Sequence, residues 1–261
     1  MVEVAPGDSV GISVPNAQWY LASGEPFAPG DPKRDIGHAL AGPIAVRGAR
    51  RGQTLTVTID FVRPASWGFT PSGDGGVRWE LDGEIGRALG HEVRLRPFLG
   101  VIGMPPPEPG VHSTVPPRRW GGNIDCKELV AGSTLFLPIP VDGALLSVGD
   151  GHAAQGDGEI AGSAIETPVA AQVTVDLRDD LRLEWPIART AGAWLAFGFD
   201  EHLGRAARVA VDGMLELMGR ELGVTGGDAR VLASVGVDLR VTQVVNGAQG
   251  VHAVLRDDVF G

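Results

Sequence analysis

Residues 54 to 62 read TLTVTIDFV, in which Leu55, Val57, Ile59 and Phe61 alternate with Thr54, Thr56, Thr58 and Asp60. A period of two sends one set of side chains into a core and the other into water. The segment is therefore expected to be a half-buried strand with Phe61 on its apolar face. Comparable signals predict strands at Ser9 to Val14, behind an APGD turn at 5 to 8, at 133 to 139 (STLFLPI), in ALLSVGD ending at Asp150, and at 170 to 178. HEVRLRPFLGVIG at 91 to 103 reads as one or two short strands, while 64 to 90 has no clear period and carries an SGDGG loop at 72 to 76. The period changes in the last third. Leu203, Ala207, Ala210, Val211, Met214, Leu217, Met218 and Leu222 recur three and four apart, predicting an amphipathic helix of roughly 20 residues stopped by Gly223. Thr225 then caps a short helix with Asp228 as an acidic capping-box partner, and VDLRVTQVV and GVHAVLRDD form two strands joined across NGAQ.

The 261 residues include 39 glycines and 19 prolines without a collagen-like period. With the strand signals, this predicts a mainly β protein, sandwich-like and turn-rich, with a smaller α+β C-terminal part. Residues 1–185 are expected to form a mainly β domain carrying the chemistry, and 186–261 an α/β part. Between Met104 and Arg118 six prolines fix φ and remove amides, so this stretch is expected to be a long loop, stiff in places. With Trp120 it could cover a small-molecule site, although Trp120 could equally wall the core.

Lysine and arginine number 22 against 32 aspartates and glutamates, a formal charge of -10. That balance argues against nucleic acid or an anionic membrane as partner. The sequence opens without a basic segment followed by an apolar one, and no long apolar window follows, so neither export nor a membrane span is expected. One cysteine, Cys126, rules out an intrachain disulfide and a thiolate zinc cluster. A cytoplasmic location fits this usage.

Chemistry concentrates where strands hand over to loops. GDGHAAQGDGE at 149 to 159 holds Asp150, His152, Gln155, Asp157 and Glu159 among glycines that let a backbone fold tightly; Asn123, Asp125 and Lys127 lie upstream in GGNIDCK and Glu166 downstream in AIETP. Carboxylates with one imidazole suit a divalent cation, zinc or calcium, that could polarise a carbonyl or activate water. Taken alone, the same loop is also compatible with solvated aspartates capping turns. It lacks the register of an EF-hand and the ending of a P-loop. If the segment around it is extended, Cys126 points away from Asp125 and Lys127 and reads as a buried, inert thiol. Lys127 would then share a face with Asp125, as an ion pair, a proton carrier or an electrophilic group. His38, His91, His112, His202 and His252 read as structural or solvent-facing, His112 least clearly because it rides on the proline-rich loop.

The block GGNIDCKELVAGSTLFLPIPVDGALLSVGDGHAAQGDGEIAGSAIE at 121 to 166 resembles the signature core of the acetamidase/formamidase family of amide hydrolases. Weaker resemblances lie at 41 to 64, 102 to 110 and 228 to 245. The resemblance implies hydrolysis of a linear carboxamide, formamide or acetamide in kind, to a carboxylate and ammonia. It further implies a largely β fold, an oligomer, with a homodimer favoured, and an associated metal. Carried over position by position, Asp125, His152, Glu159 and Glu166 become candidate metal ligands, and Glu159, Lys127 and Glu166 candidate catalytic residues. Two alternatives stand beside this: a metal-free amidase using Glu159 and Lys127, and a non-catalytic cation or small-molecule binder on the same scaffold. The chain departs from the family in starting almost at PGD, where relatives commonly carry an earlier histidine-containing strand, and in its loop from 19 to 38. A missing strand would be expected to leave a sheet edge exposed or to remove a wall of the site.

Overall fold

The computed structural model describes residues 1–28, 31, 37–73 and 75–260. The loop over 19–38 is thus described only in part, and Asp74 of the expected 72–76 loop lies outside the described residues. The N-terminal half contains β1 (Val2–Val4), β2 (Ser9–Val14), β3 (Leu40–Val46), β4 (Thr54–Pro64), β5 (Trp67–Ser72), β6 (Gly75–Asp82), β7 (Ile85–Ala88), β8 (His91–Arg94), β9 (Phe98–Gly103) and β10 (Gly121–Asn123). There follow β11 (Thr134–Pro138), β12 (Leu146–His152), β13 (Val169–Arg178), β14 (Ile187–Arg189), β15 (Ala193–Asp200), the helices α1 (Leu203–Leu222) and α2 (Gly226–Gly236), and finally β16 (Val237–Gln243) and β17 (Gln249–Arg256). The protein is mainly β, as its turn-rich composition implies.

Two sheets form a sandwich. One runs in the order β1, β3, β12, β9, β10, and the other in the order β16, β17, β15, β14, β11, β4, β13, β2. Their facing side chains, among them Ile44, Leu55, Val57, Ile102, Leu135, Val148, Val173 and Phe197, make the main core. The larger sheet runs on from the N-terminal strands into β14 to β17, so the sequence change near residue 186 falls within one sheet.

The alternation expected in β4 holds through Ile59 and then breaks. Gln172 pairs with Phe61 and Val173 with Ile59, leaving Asp60 as the extra residue of a β-bulge. One added residue moves everything beyond it to the other face, and Phe61 becomes 37% exposed instead of buried. The bulged Asp60 accepts hydrogen bonds from Gln172 and Thr174 on β13.

Helix α1 covers the outer face of β15 and β17, burying Ala206, Ala210, Met214, Leu217 and Met218. It approaches so closely that a Cβ on Gly198 would stand 2.1 Å from the Ala206 carbonyl oxygen. Gly223 ends the helix in the left-handed region (φ 69°). Thr225 directly precedes α2 but makes no side-chain cap, and the first residue of the helix, Gly226, stands in the left-handed region at φ 58°. The expected capping box is therefore not formed.

The stretch 64 to 90, which shows no period, folds into most of a third sheet, β5 to β8 in sequential hairpins. Exposed and half-buried residues interleave on these short strands, and only Trp67, Gly68, Leu81 and Gly86 are buried, which hides the alternation. Leu81 and Leu95 pack on Ala153 and Ile165, so this small sheet presses on the loop that carries the polar residues.

Candidate active site

Strand β12 runs on past Asp150 to His152, and the chain then turns back so that Glu166 bridges both His152 and Phe69. Asp125 follows the short strand β10 and enters from one side. Glu159 comes from the glycine-rich loop, whose Gly158 pairs with Gln243 at the end of β16. Asp125, Asp150, His152, Glu159 and Glu166 thereby converge, each no more than 6% exposed. Three of the carboxylate residues hold left-handed backbone, Asp125 at φ 54°, Asp150 at φ 58° and Glu159 at φ 44°. Each such residue costs on the order of 1–3 kcal/mol, a strain that local folding preference does not repay. Gly100 on β9 supplies the space: a Cβ there would lie 2.6 Å from Asp150 Oδ2, 2.7 Å from Asp125 Oδ1 and 3.1 Å from His152 Cε1.

The imidazole orientation is fixed by its neighbours. Gln155 donates from Nε2 to the Asp125 carbonyl (2.8 Å), which can only accept, so its Oε1 faces His152 Nδ1 at 2.9 Å. Nδ1 must then carry the proton. Phe98 packs edge-on against the ring at 5.0 Å between centroids. Nε2 consequently points between two carboxylates, 3.3 Å from Asp150 Oδ2 and 3.3 Å from Glu166 Oε2.

A lone pair aimed at two anions is repelled by both, so a positive charge belongs at this centre. Without a metal, the charge is a proton. Burial disfavours the imidazolium, but Glu166 and Asp150 outweigh it and raise His152 well above its ordinary value. Burial likewise opposes the Asp150 carboxylate, yet His152 and His38 hold it down at about 2. Asp125 is raised well above the carboxylate range by burial first and by the charge of Glu159 next. Burial lifts Glu159 to about 7.

These residues fit a divalent cation. Asp125 Oδ1, Asp150 Oδ1 and Glu166 Oε2 are buried without a hydrogen-bond partner, an arrangement that costs free energy unless something positive meets them. Asp125, His152 and Glu159 form one group able to hold an ion, and Asp150, His152 and Glu166 another, sharing the imidazole. Tetrahedral ligands about 2.0–2.1 Å from zinc stand roughly 3.3–3.4 Å apart, the spacing found around Nε2. The Gln155 contact at Nδ1 is of the kind that orients a ligating histidine.

Of the residues singled out from sequence, Asp125, His152, Glu159 and Glu166 come together, with Asp150. Lys127 does not share a face with Asp125, because the left-handed Asp125 breaks the extended run on which that expectation rested. Its amine pairs instead with Asp157 Oδ1 at 3.1 Å. Asp157 also binds Arg240, which reaches Glu128, and Glu128 accepts from the buried Cys126 thiol at 3.3 Å. Burial raises that thiol well above its usual value, as an inert cysteine requires. His252 joins the same network, 3.4 Å from Glu128.

Two residues escaped the sequence reading. Asn246, expected only as part of a turn, donates to Asp125 Oδ2 at 2.7 Å and reaches Glu159 Oε2 at 3.5 Å. His38, taken as structural or solvent-facing, stands with Nε2 3.8 Å from Asp150 Oδ2. Neither carries a local signal, since each reaches the site from a segment remote in sequence.

Residues 108–193 match the model of the Acetamidase/Formamidase family. Over 47 residues the chain is 60% identical to an acetamidase of Mycolicibacterium smegmatis and 55% identical to a formamidase of Methylophilus methylotrophus. Each of these matches spans 18% of this chain and 12% of the relative's length. Among solved structures, an acetamidase from Bacillus halodurans superposes with a TM-score of 0.86 at 26% identity, over 98% of this chain and 91% of that one. An acetamidase from Yersinia enterocolitica shares the fold at the same TM-score and 24% identity, over 100% of this chain and 86% of that one. The chain thus resembles the acetamidase/formamidase family in its central block, and acetamidases of known structure across its whole fold.

Proposed function

We propose that this protein hydrolyses a linear carboxamide to a carboxylate and ammonia, at the site built around His152 and with a divalent cation held there. The observation that carries the proposal is the buried cluster of four carboxylates around one oriented imidazole, in which three carboxylate oxygens lack a hydrogen-bond partner. Names of the relatives, acetamidase and formamidase, support the substrate class.

Asp125, Asp150, His152 and Glu166 are the residues that would hold the cation, with Glu159 at its edge. When bound, it supplies Lewis acidity toward an amide carbonyl and lowers the pKa of water. The chain's own residues do the rest. Gln155 keeps His152 Nδ1 protonated and Nε2 turned inward. Glu159 takes a proton from the attacking water as the C–O bond forms and returns it to the nitrogen as the C–N bond breaks. An amide nitrogen leaves poorly unless protonated, so one group serving both steps closes the proton balance. A carboxyl raised to about 7 suits that double duty near neutrality. Asn246 positions Glu159 against Asp125. Lys127 enters through Asp157, on the same glycine-rich loop as Glu159, and we assign it the positioning of that loop.

A metal-free variant of the reaction has one observation in its favour: the imidazolium at His152 can itself neutralise Asp150 and Glu166. Ammonia release from formamide and acetamide, measured before and after chelation with elemental analysis of the same preparation, separates the two. A cytoplasmic homodimer completes the reading. It is supported by the single buried cysteine and by the apolar surface of Val231, Val235 and Leu239 beside the edge strand β16, and size-exclusion chromatography tests the dimer. Among the described residues no helix is long and apolar enough to cross a membrane.

A further inference from the structure

The proline-rich loop has no part in the chemistry above, yet it roofs a cavity of about 290 Å³ on the sheet that carries the site. Leu40, Val101, Met104, Pro105, Pro106 and Leu145 make most of its walls, with Thr114 and Arg118 among the polar members, and among the described residues no carboxylate lines it. Its roof is held in place before any ligand arrives. Asn123 donates to the Val115 carbonyl at 3.1 Å, Met104 N to the Trp120 carbonyl at 3.1 Å, and Arg118 N to the Gly121 carbonyl at 2.8 Å. The size falls near the lower end for small-molecule sites, and a preformed apolar wall is their usual character.

The cavity adjoins the carboxylates. Val101 follows Gly100, the residue whose missing Cβ makes room for Asp125 and Asp150. Thr114, a residue of the cavity wall, hydrogen-bonds His38 Nδ1 at 2.9 Å, while Nε2 of the same ring stands 3.8 Å from Asp150 Oδ2. One imidazole, 17% exposed, thus links a residue of the chamber wall to one of the buried acids. Thr114 is seated by Gly37, where a Cβ would meet its hydroxyl at 2.4 Å.

We propose that this cavity receives the acyl chain of the substrate, so that the preferred amides are neutral aliphatic ones longer than acetamide. The inference rests on the amidase reading for its substrate class. Formamide would leave the chamber unused. A chain bearing a carboxylate would find the one arginine among its described lining residues, Arg118, turned to the Pro116 carbonyl.

The test is kcat/KM across the series from formamide to hexanamide, together with hexanamide binding to the chelated protein by saturation-transfer NMR. Each methylene that enters the cavity should raise kcat/KM roughly fourfold until the chain fills it. Leu40→Trp, which fills the chamber from β3, should lower the hexanamide-to-formamide ratio by more than about tenfold and abolish hexanamide binding. Pro106→Trp does the same from the loop side if the first variant does not fold. A flat series with formamide turnover intact, or equal hexanamide binding by wild type and filled variants, overturns the inference and leaves the amidase reading standing. If no amide is turned over but hexanamide binds and is lost in the filled variants, the cavity assignment stands and the amidase reading falls.

Discussion

Gly100→Ala adds one methyl group and asks whether the buried cluster works as a unit. The glycine does not occupy the left-handed region, so alanine meets no backbone penalty there. The new carbon would instead stand 2.6 Å from Asp150 Oδ2 and 2.7 Å from Asp125 Oδ1. Ordinary contact begins near 3.4 Å, so each carboxylate must withdraw by about 0.7–0.8 Å, and both are fixed by left-handed backbone and buried neighbours. Overpacking of this kind costs about 1–3 kcal/mol of stability. A displacement approaching 1 Å at a reacting centre costs about 100-fold in rate. The expected result is a folded protein, slightly less stable to heat or urea, with amide kcat/KM reduced by at least about 100-fold and bound metal reduced in parallel. Turnover within a few-fold of wild type would refute the placement of Asp125 and Asp150 around one centre.

Other outcomes follow from the same geometry. Gln155→Leu removes the acceptor at His152 Nδ1 and should weaken metal affinity by about 10–100-fold with little change in fold, read by competition with a chelating dye. Cys126→Ala should keep amide turnover and lose about 1–3 kcal/mol of stability; a covalent acyl adduct trapped on the sulfur would reverse that assignment. In chelated protein Glu159 has a folded pKa of about 7 against an ordinary 4.5, so the folded state binds more protons in that window. Its contribution to stability is complete below the lower value and disappears as pH rises through about 7, and Glu159→Gln should flatten that part of the urea midpoint profile. Asp150, held at about 2, acts with the opposite sign: its contribution is present above about pH 4 and disappears as pH falls toward 2.

The strands that face a core on one side and water on the other were legible, because burial there imposes a period of two. Phe61 was misplaced because a bulge depends on the partner strand, which a single segment cannot reveal. The hairpins over 64–90 were hidden by short strands whose side chains are mostly half-buried or exposed. At the site, the glycine-rich acidic stretch announced itself by composition. Its register did not: an extended segment would pair Lys127 with Asp125, and only a left-handed Asp125 sends the lysine to Asp157. Asn246 and His38 were beyond reach for a simpler reason, since both meet the cluster through tertiary contacts spanning about a hundred residues of chain.

The central claim, amide hydrolysis at a cation-demanding acidic cluster, is tested most directly by one experiment on one preparation. Metal content and ammonia release from formamide, acetamide and longer amides are measured as purified, after chelation, and after restoring zinc or calcium, with Glu159→Gln carried alongside. The expected result is a divalent ion bound at the cluster, amide turnover that vanishes with the ion and returns with it, and a glutamine variant that retains the ion but loses at least about 100-fold in turnover. Undiminished turnover in fully metal-free protein, or near-normal turnover by Glu159→Gln, would contradict it.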